Sequence, residues 1–390
     1  MPILLRSLVL PLSGVVVVAA SAFACGGSTS SDATNDAGND AGVATNDAAP
    51  DATPRDSGCP ACPLVDSGPP PPPPQGVPPD PGGPPPDGAG STVLATSHMY
   101  IGDTDRNGAA SASAWKQYGL NLDGKITDKS STDVCTLASG ASKSTQVDGA
   151  NGIDNSWGEN ILPIILTVGG ADAGKKLNDA IASGAFATLL RLDKLGAAQN
   201  YSPLPGSVYR GAQTASPPKW DGTDLWPIDT ASVNTGDVNQ PKVLFSAGYM
   251  NARVWVGEPP QNLELPFSFG GVDWAIPLRN ARILMQVAPD GRSATFGTIA
   301  GTLETEQYIM SLKQVAGRIS TSLCSGSAFD SIAQQIRQAS DMMANGTNAA
   351  GAACNAISFG WGFDAKAVKL GPVVPSPAPS PDPCGADAGQ

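Results

Sequence analysis

The stretch Ala281-Arg282-Ile283-Leu284-Met285-Gln286-Val287, followed by Pro289-Asp290-Gly291 and the returning run 293–303, decides how the fold is read. Two apolar runs flank an Asp-Gly pair, whose residues tolerate the backbone twist of a tight turn, so the stretch predicts a β-hairpin. Just upstream, Leu263, Leu265, Phe267 and Phe269 alternate with residues such as Glu264 and Ser268. That period of two is that of a half-buried strand. Shorter strands are expected at 186–192, 208–211, 243–247, 253–256 and 356–363. Helices are expected at 175–183, 304–318 and 329–343; in the last, Ile332, Ile336 and Met343 fall near helical spacing. Residues 95–156 are rich in Gly, Asp, Ser and Asn and read mostly as loops. Many short strands with few helices predict a mainly β domain, an antiparallel β-sandwich or a jelly-roll-like variant.

Outside that domain the composition changes. Residues 1–24 have the layout of a secretory signal: Arg6, then an apolar run over 8–20, then small residues. The run is too short to cross a bilayer, which takes about 20 residues. Ala22-Phe23-Ala24-Cys25 looks like a bacterial lipobox, although Ala22 stands where an aliphatic residue is usual and Phe23 is bulky. It implies lipidation of Cys25 and attachment to a lipid bilayer, most simply the outer membrane, because several acyl chains on one residue anchor stably.

Residues 25–94 read as a disordered linker, Asp- and Asn-rich first and proline-rich later, with a run from Pro69 to Pro74. As coil it spans roughly 45 Å. Residues 95–371 form the β-rich domain, and 372–390 a proline-rich tail. Of the formal charge of −12, nine aspartates against Arg55 place most in the linker. The domain is left nearly neutral, and no basic footprint for nucleic acid is present.

Seven cysteines less Cys25 leave six, an even number that favours disulfides in an exported chain. Cys59 and Cys62 read as a local bridge. Cys324 and Cys354 flank a predicted helix and read as a second bridge, contributing about 3–4 kcal/mol on the chain-entropy model. Cys135 and Cys384 then pair by elimination.

Three constellations bear on chemistry. Asp103, Asp105 and Asn107 lead into Gly108 like the first half of an EF-hand loop, but Ala114 stands where the bidentate Glu belongs. With Asp148, Asn151 and Asp154 they offer hard oxygens to a structural calcium; the alternative is that they are turn formers. Trp220, Asp221, Asp224 and Trp226 either form a stacking platform for a sugar ring or pin a loop to the domain. The single histidine, His98, lacks a GxSxG nucleophile elbow to serve. Paired carboxylates for glycoside hydrolysis are a spatial feature; Glu258 and Asp273 lie near strand-like segments, with nothing to single them out.

Residues 101–108, 121–125, 148–158, 218–227, 297–301 and 358–365 together resemble uncharacterised envelope lipoproteins of myxobacteria and related predatory bacteria. The resemblance spans most of residues 100–367 and includes the Asp-rich arm. It implies an envelope location and brings no activity, cofactor or catalytic residue. The expectation is a tethered, non-catalytic binding or structural module for polysaccharide or envelope protein. The alternative is a glycan hydrolase using carboxylates.

Overall fold

A computed structural model of the protein describes residues 75–269, 272–324, 326–378 and Cys384. The expected lipidation site Cys25, the signal segment, and Cys59 and Cys62 lie outside the described residues. The fold is mainly β, with four α-helices. The hairpin that sets it is β11 (Val272–Val287) and β12 (Ser293–Glu304), turning through Asp290 and Gly291. Upstream come β1 (Ser91–Tyr100), β2 (Ala187–Asp193), β3 (Gly206–Gly211), β4 (Leu225–Asp229), β5 (Val233–Asn234), β6 (Asp237–Pro241), β7 (Val243–Phe245), β8 (Tyr249–Asn251), β9 (Val254–Val256) and β10 (Gln261–Phe269). Downstream are β13 (Ala356–Ala367) and β14 (Lys369–Val374).

Twelve of these strands hydrogen bond in one sheet, in the order β14-β4-β3-β2-β1-β13-β12-β11-β9-β8, with β10 added on β11 and β7 on β3. All pairs are antiparallel except β14 with β4. The layered packing expected of a sandwich is reached by one sheet curling over itself. Bulges bend strands, and they interrupt β1 between Thr96 and His98, β11 near Asn280, and β12 near Phe296. Asn280 and Phe296 both take positive φ, 49° and 51°. Past its bulge, β11 exchanges β10 for β9 as its neighbour, which turns the sheet.

The core lies inside the curl, where Leu190 and Leu192 of β2 meet Leu263, Leu265 and Phe267 of β10. The other face of β2, Ala187 and Leu189, packs on Tyr209, Trp226 and Ile228. Burial on both faces explains why apolar residues of β2 fall on both of its faces, with Leu189 and Leu190 adjacent. Helices α1 (Leu162–Gly169), α2 (Ala173–Ala182), α3 (Thr305–Ile319) and α4 (Ser327–Gln338) cover the rest. A π-helical turn, Trp157–Ile161, leads into α1.

Three expectations need correction. The proline-rich segment 75–90 is part of the domain. A polyproline backbone leaves its carbonyls free to accept; here Tyr249 Oη donates to Pro79 O at 2.6 Å and Asn251 Nδ2 to Asp80 O at 2.8 Å. The domain therefore begins before residue 95, and β1 opens at Ser91. The tail after Gly371 is also structured, because β14 finds a parallel partner in β4. Finally, the disulfides are Cys135–Cys354 and Cys324–Cys384. A helix of twelve residues, about 18 Å long, separates Cys324 from the chain that leads to Cys354. Meanwhile Thr136 N donates to Ala352 O and Cys354 N to Thr136 O, which sets Cys135 beside Cys354. Taken singly, the two bridges contribute about 5 and 4 kcal/mol on the chain-entropy model.

Candidate functional site

Where the curl brings the sheet nearest to itself, β7 and β10 pack side by side, each hydrogen bonded to a different neighbour. The seam between them opens into a cleft. One cavity of about 500 Å³ lies between β3, β7, β10 and β11. An adjoining one of about 670 Å³ runs along α3 to residues 376–378, and a third, of about 320 Å³, lies under β14. All three share Arg210 as a wall. Each of the two larger volumes falls in the usual range for small-molecule sites.

The sequence places polar groups here by strand alternation. Val208 points into the core while Arg210, two residues on, stands at the cleft's mouth on the same face. Its guanidinium pairs with Asp229 at 3.3 Å, and Asp229 also accepts from Ala231 N and from Ser376. Arg279 pairs with Glu304 at 3.4 Å and receives the Gln307 Oε1 as a further acceptor. Pro266 and Pro277 lack the N–H that a ladder would use, and they leave smooth apolar surface on β10 and β11. Trp274 contributes a ring and donates Nε1 to Ser311 Oγ at 2.6 Å. Asp229 and Glu264 are the carboxylates at the cleft among the described residues, and Asp229 is fully committed to Arg210, Ala231 and Ser376.

The residues predicted from sequence lie elsewhere. Asp105 Oδ1 accepts from the backbone N–H groups of Asn107 and Ala109 at 2.8 and 2.9 Å, an Asx turn. Asp103 packs against Gly174 in the first turn of α2. Asn151 takes a φ of 56° and donates to Gln75 O. Asp154 accepts from Leu122 N at 2.7 Å, and burial pushes its carboxyl well up, with Asp123, Asp341 and Asp148 adding to the shift. Burial likewise raises Asp148 and Asp341, each to about 7. The two predicted calcium loops do not converge on a common point. Among the described residues, no group of three or more His, Cys, Asp or Glu side chains is placed to hold a metal ion. Asp105 forms a local turn, whereas Asp148, Asn151 and Asp154 hold the distant backbone of Thr127, Gln75 and Leu122.

The tryptophan loop is a pin. Trp226 is fully buried and donates Nε1 to Ala212 O at 2.9 Å, with Trp220 against it at 5.5 Å between ring centroids. Asp224 accepts from Lys219 N and Trp220 N, and Asp221 from Thr223. Trp226 is buried and cannot stack on a sugar; Trp220 is half-buried against it, and Asp224 is taken up by the loop's own backbone N–H groups. Glu258 is held by Arg282 at 3.0 Å. The His98 ring lies tilted against Tyr100, 4.6 Å between centroids, and burial pulls its pKa below the ordinary value against the pull of Asp364 and Asp103.

Sequence reading missed the cleft because its walls come from elements spread over residues 185–378. The usable signals were an Arg in an apolar strand and prolines inside strand-like runs. No family model, curated protein or solved structure matches the chain. Among the described residues no helix is long and apolar enough to cross a membrane. The two disulfides are consistent with an exported protein.

Proposed function

We propose that this is an exported protein, tethered to a bilayer through acylated Cys25, whose folded domain binds a small polar ligand or the end of an envelope polysaccharide without transforming it. The observation that carries the reading is the cleft at the sheet's seam, with its proline surface and its convergent polar groups. Against hydrolysis, the more buried of its two carboxylates is neutralised by Arg210, which leaves no free pair for acid and base roles.

The test is retention of the mature chain on purified envelope polysaccharide. Blocking the cleft with Ala231→Trp or Gln314→Trp is expected to abolish retention while leaving the melting temperature unchanged. Bond cleavage by the wild type, or undiminished retention by both variants, would overturn the reading. For the tether, labelled palmitate should enter the wild type and not Cys25→Ser.

A further inference from the structure

We infer that the cleft is built for an acidic saccharide, with Arg318 receiving its carboxylate at the α3 end and Lys242, Glu264 and Gln314 its hydroxyls. This rests on the binding reading above and names the ligand class for the same site. Four side chains at the cleft have no side-chain partner among the described residues: Lys242, Glu264, Gln314 and Arg318. Arg318 is the most telling. It closes the last turn of α3 beside the 670 Å³ cavity, and its Nε is buried with no hydrogen-bond acceptor. A buried guanidinium donor left unmatched costs about 1–3 kcal/mol. A planar carboxylate is the acceptor that a guanidinium's fork of donors fits best.

The neighbouring charges narrow the class. Arg210 and Arg279 are already neutralised by Asp229 and Glu304, so the uncommitted charges are two cations and one anion. That pattern suits a ligand with one negative group and hydroxyls that can donate to Glu264. A dense polyanion would be repelled by Glu264 and gains nothing from the apolar walls. Of those walls, the half-buried Pro266 and Pro277 offer apolar surface that a sugar ring can cover, while the Trp274 ring is buried beneath them.

The experiment is calorimetric titration of the full mature chain, disulfides intact, with a trisaccharide bearing a single galacturonate, a neutral maltotriose and citrate as three probes. The expected result is saturable binding of the galacturonate, at least tenfold weaker binding of the other two, and at least a tenfold loss in Arg318→Gln. Equal binding of maltotriose would overturn the acidic class while leaving the binding reading intact. Equal binding of citrate would overturn the saccharide class in the same way. Binding of none of the three, with envelope retention still abolished by Gln314→Trp, would overturn the ligand class alone; without that cleft-dependent retention, both readings fall. Circular dichroism and melting of Arg318→Gln separate loss of ligand from loss of fold, and Arg318→Lys should recover part of the affinity.

Discussion

The curled sheet and the loop-rich stretch 101–156 occupy one domain and are held by opposite means. In the sheet, order comes from ladders and from apolar burial on alternating positions, shared among many residues. In the stretch 101–156, single polar side chains take the place of ladders. Asn155 is the clearest: its Nδ2 donates to the carbonyls of Trp115, Tyr118 and Gly360, while its Oδ1 accepts from Gly158 N and Gly360 N. Gly360 has no side chain because the backbone at Tyr118 and Gly119 passes where a β-carbon would sit. Arg106 does similar duty, with its guanidinium 5.1–5.4 Å from the rings of Tyr100, Tyr118 and Phe296 and its Nη2 donating to Gly297 O. An apolar core degrades gradually under substitution, whereas a polar clamp fails at one residue.

The contrast can be broken at several points. Replacing Cys135 and Cys354 together by Ser removes the covalent link between the loops and the approach to β13. It should cost about 5 kcal/mol in urea unfolding. Asn155→Ala leaves several buried backbone groups unmatched and should cost about 4 kcal/mol. That is as much as deleting the ring of the fully buried Phe359 in the sheet, about 3–5 kcal/mol. The two should differ in kind: limited proteolysis of Asn155→Ala is expected to cut first within 101–156, while Phe359→Ala should expose the whole chain at once.

Acid should favour the loop region. Asp148 and Asp341 titrate near 7 in the folded chain against 3.8 in the unfolded one, and Asp154 is raised as well. The folded state therefore keeps protons that the unfolded chain has already released. The stability they supply is present below about pH 4 and is lost as pH rises towards 7 and beyond. Chemical denaturation at pH 5 should show about 3 kcal/mol more stability than at pH 6, and Asp341→Asn should flatten the slope. The smallest expected effect, about 2 kcal/mol, belongs to Arg106→Ala, read as a lowered melting temperature with Tyr118 fluorescence changing first.

Legibility in the sequence follows the same divide. The β11–β12 hairpin, β10, α3 and α4 were readable because their signals are local: a turn dipeptide, a period of two, a period near 3.6. β1 was missed because both faces of Ser91–Tyr100 are covered in part and its composition resembles the loops beside it. β14 was missed because a parallel partner 140 or so residues away leaves no local mark, as loop closure at that range is a tertiary event. The disulfides were paired by adjacency along the chain, which ignored the rigid helix between Cys324 and the approach to Cys354. The cleft was invisible because each wall residue looks ordinary until the curl brings β7 against β10.

The Cys324–Cys384 bridge has a consequence for when the protein becomes competent. Residues 374–378 supply one wall of the cleft, and the chain beyond them is stapled to the end of α3 by that bond. Every other wall is synthesised earlier. The cavity is thus completed last, and only where thiols are oxidised. If the chain is exported as proposed, its vessel stays unfinished until it leaves the reducing cytosol.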